Sequence, residues 1–183
     1  MPKLVWMMIM QNKLKMKQKW FWGVVIAIEL ILFYSSSMTY KEQTSVPFLE
    51  KILGTNKPLY SSLSKISFRY GGKTQSIEND GYFHFLEFFI RKGAHFSIYF
   101  LLGLFLCLAV YKYFSKNKFL MMFIPWLATT GLAAFDEFHQ GLTGGRTPSV
   151  TDVILDSVGA LTGILVLMLI LWLIELHANK NKS

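Results

Sequence analysis

The stretch VILDSVGALTGILVLMLILWLI, residues 153–174, decides the fold. Only Asp156, near its start, carries a charge. A helix needs roughly 20 such residues to cross ~30 Å of hydrocarbon. A surface helix of a soluble domain would show a polar face over that length, and this one shows none. Toward the N-terminus, three more blocks have the same character, at about 119–138, 93–113 and 20–38. The expected fold is therefore an all-α integral membrane protein, a bundle of four transmembrane helices. Its two later connections are short, and a long loop, 39–92, separates spans 1 and 2.

Composition agrees. Of 183 residues, 52% are hydrophobic and only 16% are charged, against roughly a quarter charged in soluble domains. Mean hydropathy is +0.36. The net charge is +8, and the basic residues lie mostly between the apolar blocks. That placement suits anionic lipid headgroups and gives no basis for nucleic-acid binding. Cys107, the single cysteine, lies inside an apolar block, which excludes an intrachain disulfide and a cysteine metal site. It reads as a packed thiol. The first block ends in Ser35-Ser36-Ser37 without a small-residue cleavage signal, so it reads as a retained anchor.

Lysine and arginine near the span ends set the expected orientation. The basic tail 1–19 contains Lys13, Lys15, Lys17 and Lys19 and no acid. Lys112, Lys116 and Lys118 flank the second connection, and Lys180 and Lys182 lie in the tail 176–183. With four spans these segments share a side, expected to be the cytoplasm, which leaves 39–92 extracytoplasmic. Within that loop, the alternation Ile66, Phe68, Tyr70 followed by Gly71-Gly72 predicts a short strand and turn, or a small hairpin. Residues 82–92 read as an interfacial helix running into span 2, with Glu87 and Arg91 spaced for a helical ion pair.

Alternating crossings bring four polar clusters to one end of the bundle. Lys92, His95 and Tyr99 open span 2, and Asp136, Glu137, His139 and Gln140 close span 3. Gly144, Gly145, Arg146 and Thr147 form the connecting loop, and Asp152 and Asp156 open span 4. At ~100° per residue, Lys92, His95 and Tyr99 form one stripe, as do Asp152, Asp156, Gly159 and Gly163. The glycines permit close helix approach, so the packing face also carries the carboxylates. Thr147 or Ser149 is placed to cap span 4 with Pro148 in its first turn, and Arg146 beside a helix N-terminus suits an anion. Ionisable residues at membrane depth are expensive, so they point either to a site or to a pairing network that fixes helix register. No helix-borne metal motif is present. Glu29, in the middle of span 1, either accepts a hydrogen bond or is protonated.

RKGAHFSIYFLLG at 91–103, DEFHQGLTGGR at 136–146 and DVILDSVGALTG at 152–163, with the serines closing span 1, resemble the VanZ-like membrane protein family. The resemblance covers about 20–175 and names no cofactor. Its basic-histidine-tyrosine element falls on Lys92, His95 and Tyr99, and its acidic-glutamine element on Asp136, Glu137 and Gln140. Its loop arginine falls on Arg146, and its last element on Asp152 and Gly159. Asp156 stands where the family usually has asparagine, which leaves its protonation open. The resemblance implies a cell-envelope setting and a link to resistance against teicoplanin, a lipidated glycopeptide.

Two readings follow. In one, the protein binds or modifies a lipid or lipid-linked wall precursor at the outer leaflet of the cell membrane. Any chemistry would then use His95 with Asp136 or Glu137 as acid and base, with Asp152 orienting or sharing a proton. Lys92 and Arg146 would hold anionic oxygens, with Tyr99, Gln140 and Asp156 completing the binding set. In the other, a non-enzymatic module alters antibiotic access or assembles with another membrane protein. A transporter is disfavoured, because no midplane site with broken helices is visible.

Overall fold

A computed structural model describes residues 17–143 and 147–180. Most of the basic N-terminal tail, the loop Gly144–Arg146 and the last three residues lie outside the described residues. Four long helices dominate: α1 (Gln18–Ser36), α6 (Tyr82–Phe114), α7 (Lys118–Leu142) and α8 (Val150–Lys180). Each is long and apolar enough to cross a membrane. Between α1 and α6 lie the short helices α2 (Tyr40–Gln43), α3 (Val46–Leu53) and α4 (Tyr60–Leu63). They are followed by a hairpin, β1 (Ser67–Tyr70) and β2 (Lys73–Ser76), and by α5 (Ile77–Asp80).

On α1 the buried positions Phe21, Val25, Ile28, Leu32 and Ser36 recur at helical spacing, while Trp20, Ile26, Leu30 and Phe33 on the other side are exposed. An exposed apolar face is what a hydrocarbon solvent requires. Val25, Ile28 and Leu32 pack against Tyr99, Leu102 and Leu106 of α6 and Ala133 of α7. A second cluster joins Cys107, Met121, Ile164 and Leu167 across α6, α7 and α8.

The seam between α6 and α8 is built on glycine. A Cβ on Gly159 would meet the backbone of Phe96, and one on Gly163 the backbone of Phe100. Gly103 of α6 lies as close to the backbone of Ala160. Between apolar helices in lipid, this close approach supplies the dispersion contact that a soluble protein would draw from excluding water. The small-residue stripe expected on span 4 thus lies directly against the backbone of α6.

Pro125 lies inside α7. It lacks an N–H, so the carbonyl one turn back, that of Met121, loses its helical donor. Cys107 of α6 supplies the replacement, its buried thiol donating to the Met121 carbonyl oxygen at 3.3 Å. The packed thiol therefore has a specific task in a medium where water cannot satisfy a freed carbonyl. Cys107→Val is expected to lower stability by about 1 kcal/mol, while Cys107→Ser holds it. Thermal unfolding in detergent reads both, and equal midpoints for the two variants would refute this role for the thiol.

α6 has 33 residues, roughly 50 Å at the helical rise, well beyond the hydrocarbon thickness. Its first turns carry the loop elements. Tyr82 and Phe85, buried with Ile77, form a small separate core with Leu53, Leu63 and Phe68. The expected strand and turn are a two-stranded antiparallel hairpin, Tyr70 pairing with Lys73. Gly71 and Gly72 have φ of 56° and 80°, the left-handed pair that a tight two-residue turn requires.

The expected Glu87–Arg91 ion pair is not formed. Buried Glu87 accepts hydrogen bonds from Tyr40 Oη (2.9 Å), Thr44 Oγ1 (2.8 Å) and the Ser45 backbone N–H (2.5 Å). Three fixed donors outbid one flexible cation four residues away. Arg91 lies instead over the Tyr40 ring, 5.4 Å from its centroid. Burial and the bond to Glu87 push the Tyr40 phenol above its ordinary pKa, so it remains a donor.

Candidate functional site

The ends of α6, α7 and α8 and the hairpin meet at one end of the bundle. Lys92 Nζ lies 2.5 Å from Asp152 Oδ1, above the rings of Tyr70 and Phe88 at 5.0 and 5.7 Å. The Tyr70 hydroxyl donates to the same Asp152 oxygen at 2.5 Å. Burial first, and then this bond, push the Tyr70 phenol far above its ordinary value, which keeps the proton on the donor side. Asp152 is in the first turn of α8, where the free N–H groups also favour a negative charge.

One turn deeper, His95 Nδ1 faces Asp156 Oδ2 at 3.4 Å. The nearest partner of His95 is thus Asp156 of α8, although it also interacts electrostatically with Asp136. Asp136 takes a hydrogen bond of 2.8 Å from Gln140, one turn along α7. Glu137 accepts from the Ser149 backbone N–H at 2.6 Å and so fastens the start of α8 to the end of α7. Buried Tyr99 lies among the acids, its hydroxyl interacting electrostatically with Asp136, Asp156, Glu29 and Glu137. Tyr99 Oη, Glu29 Oε1 and Asp156 Oδ1 have no hydrogen-bond partner among the described residues.

The expected cap of span 4 takes a different form. The Ser149 backbone carbonyl accepts from the N–H groups of Asp152 and Val153, but its hydroxyl is buried without a partner. Pro148 stands before the helix and packs on Gly141, because Glu137 holds Ser149 where the first turn begins. Arg146 lies outside the described residues.

The serines closing α1 also serve this end. Ser36 Oγ bonds His139 Nδ1 at 2.7 Å, and that imidazole stacks on Phe33 at 4.7 Å. Gln43 donates to the carbonyl oxygen and hydroxyl of Ser35. These contacts tie α1 to α7 and to the loop.

Between the hairpin and the helix ends is a cavity of about 280 Å³. Lys92, Glu137, Gln140 and Asp152, all expected at a site, line it together with Tyr40, Tyr70, Lys73, Phe88, Arg91 and Ser149. His95, Tyr99, Asp136 and Asp156 are not among its lining residues; Tyr99, Asp136 and Asp156 are buried and His95 is partly exposed. Tyr70, Arg91 and Lys73 were not expected at the site. The alternation ending at Tyr70 and the two glycines after it mark a turn, but nothing local says where that turn docks. Among the described residues no cluster of three or more His, Cys, Asp or Glu side chains is placed to hold a metal ion.

No match was found among curated proteins or among solved structures. The family model described as VanZ/LLP1 matches residues 21–172, from the first turn of α1 to Trp172 in α8. That range takes in α6, α7 and most of α1 and α8, with the hairpin and the paired charges, and the chain therefore belongs to the VanZ/LLP1 family.

Proposed function

We propose that this protein binds the headgroup of a lipid or lipid-linked wall precursor at the outer face of the cell membrane, and that it is linked to teicoplanin-type glycopeptide resistance. Both termini are cytoplasmic in this reading, and the hairpin end faces outward. The observation that carries it is the cavity lined by Arg91, Lys92 and Lys73 beside Tyr40, Tyr70 and Phe88. Cations there suit a phosphate, and aromatic rings suit an amphipathic head at the membrane boundary. Family membership supports the envelope setting. Should chemistry follow binding, His95 with Asp136 or Glu137 is the acid–base set, and Asp152 orients Lys92 and Tyr70.

A second reading draws on the pairing itself. Lys92–Asp152 and His95–Asp156 both join α6 to α8, so the same residues serve a non-enzymatic module that alters antibiotic access or assembles with another membrane protein.

The readings separate in cells and in detergent. In the first, Arg91→Gln with Lys73→Ala, both in the cavity wall, abolishes a teicoplanin-selective shift in susceptibility, with vancomycin as the control, while protein level and unfolding temperature hold. In the second, that variant keeps the phenotype, and His95→Ala loses it only as membrane level and unfolding temperature fall, because Asp156 is left unpaired. A cysteine placed at Gln75 in a Cys107→Ser background is expected to react with an impermeant maleimide in whole cells, and one at Ser115 is not. Equal labelling of the two would overturn the orientation.

A further inference from the structure

The cavity at the helix ends does not stop at Arg91. A second space of about 440 Å³ continues it along α6, past Asp80, His84 and Glu87. Tyr40, Lys73, Gln75, Phe88 and Arg91 line both, so the two are lobes of one groove with a shared waist. From Lys92 in the first lobe to His84 in the second, the groove follows α6 for eight residues, roughly 12 Å at the helical rise.

Charge is distributed unevenly along it. In the first lobe Lys92 is already held by Asp152. At the waist, Arg91 and Lys73 have no carboxylate within ion-pair distance among the described residues. An anion brought into the groove therefore meets its free cations in the middle. In the second lobe the character reverses. Asp80 spends one oxygen, Oδ2, on the Ser76 N–H at 3.0 Å, and the half-exposed His84 has its Nδ1 3.4 Å from the Tyr40 hydroxyl and 3.8 Å from Glu87 Oε2, which leaves Nε2 for a ligand. Those groups accept hydrogen bonds from hydroxyls or amines.

We infer that the groove takes a two-part head, with a phosphate at Arg91 and Lys73 and a hydroxyl- or amine-bearing extension reaching Asp80 and His84. That chemistry is a phosphate-linked saccharide on a lipid carrier, and a compact phospholipid head would fill one lobe only. The inference rests on the headgroup-binding reading above and narrows its ligand class.

The test uses the full chain in detergent, with binding read by native mass spectrometry. Three probes are compared: a polyprenyl monophosphate, a polyprenyl diphosphate bearing a disaccharide, and phosphatidylglycerol. The disaccharide probe is expected to bind at least about tenfold more tightly than the other two. Arg91→Gln with Lys73→Ala weakens every probe. Asp80→Ala with His84→Ala removes most of the preference for the disaccharide probe. Equal affinities for the three probes, or loss of all three alike in the Asp80 and His84 variant, would overturn the two-part head and leave headgroup binding standing. Failure of every probe to bind would overturn both.

Discussion

Gly163→Leu forces α6 and α8 apart and costs about 3 kcal/mol or more, the upper end of what overpacking causes. The added Cβ meets the Phe100 carbonyl oxygen, a backbone atom that no rotamer change can move aside. One turn earlier, Gly159 faces the Phe96 carbonyl in the same way, so the two helices cannot pivot about one contact to relieve the other. The separation would also pull Asp156 from His95 and Asp152 from Lys92, since both pairs bridge these helices. The expected readout is a large drop in unfolding temperature in detergent and a reduced amount of protein in the membrane. Gly23 supplies the control. A Cβ there has nothing within 4 Å, so Gly23→Leu leaves both measurements unchanged. An unshifted midpoint for Gly163→Leu would rule out the glycine seam.

Lys92→Met comes next in size. The ammonium sits against Asp152 and two aromatic rings, and its side chain and that of Asp152 are 22% and 19% exposed. Removing one partner of a fully buried pair costs about 3–5 kcal/mol, because the other charge is left uncompensated. With a fifth of each side chain in contact with solvent, about 2 kcal/mol is expected. Met retains most of the apolar stem, which isolates the charge. The loss should be largely recovered in Lys92→Met/Asp152→Leu, where no carboxylate remains to be left alone. Hydrogen exchange of the hairpin adds a local readout, since Tyr70 is held by the same Asp152 oxygen. Additive losses in the double variant would show that the two groups are energetically independent.

Much of the membrane domain was legible from residue order. Apolar length marked the four spans, and the three- and four-residue spacing of Asp152, Asp156, Gly159 and Gly163 placed acids and small residues on one face. Alternation marked the hairpin. The partners were much less legible. Glu87 and Arg91 have the right spacing for an ion pair, but Thr44 and Ser45, more than forty residues away, bring donors in better geometry. His95 could face any carboxylate at its level, and the rotation of α6 against α8 gives it Asp156.

Residue order alone determined that this chain belongs in a bilayer and that the acids of spans 3 and 4 collect with Lys92 and His95 at one end. Both follow from transfer free energy and helical period, which act within a single segment. Only the tertiary structure decided which cation meets which acid, that a cysteine answers for a proline, and that a hairpin closes a groove over α6. Those outcomes depend on distances between segments far apart in the chain, and such distances exist only after the helices have packed.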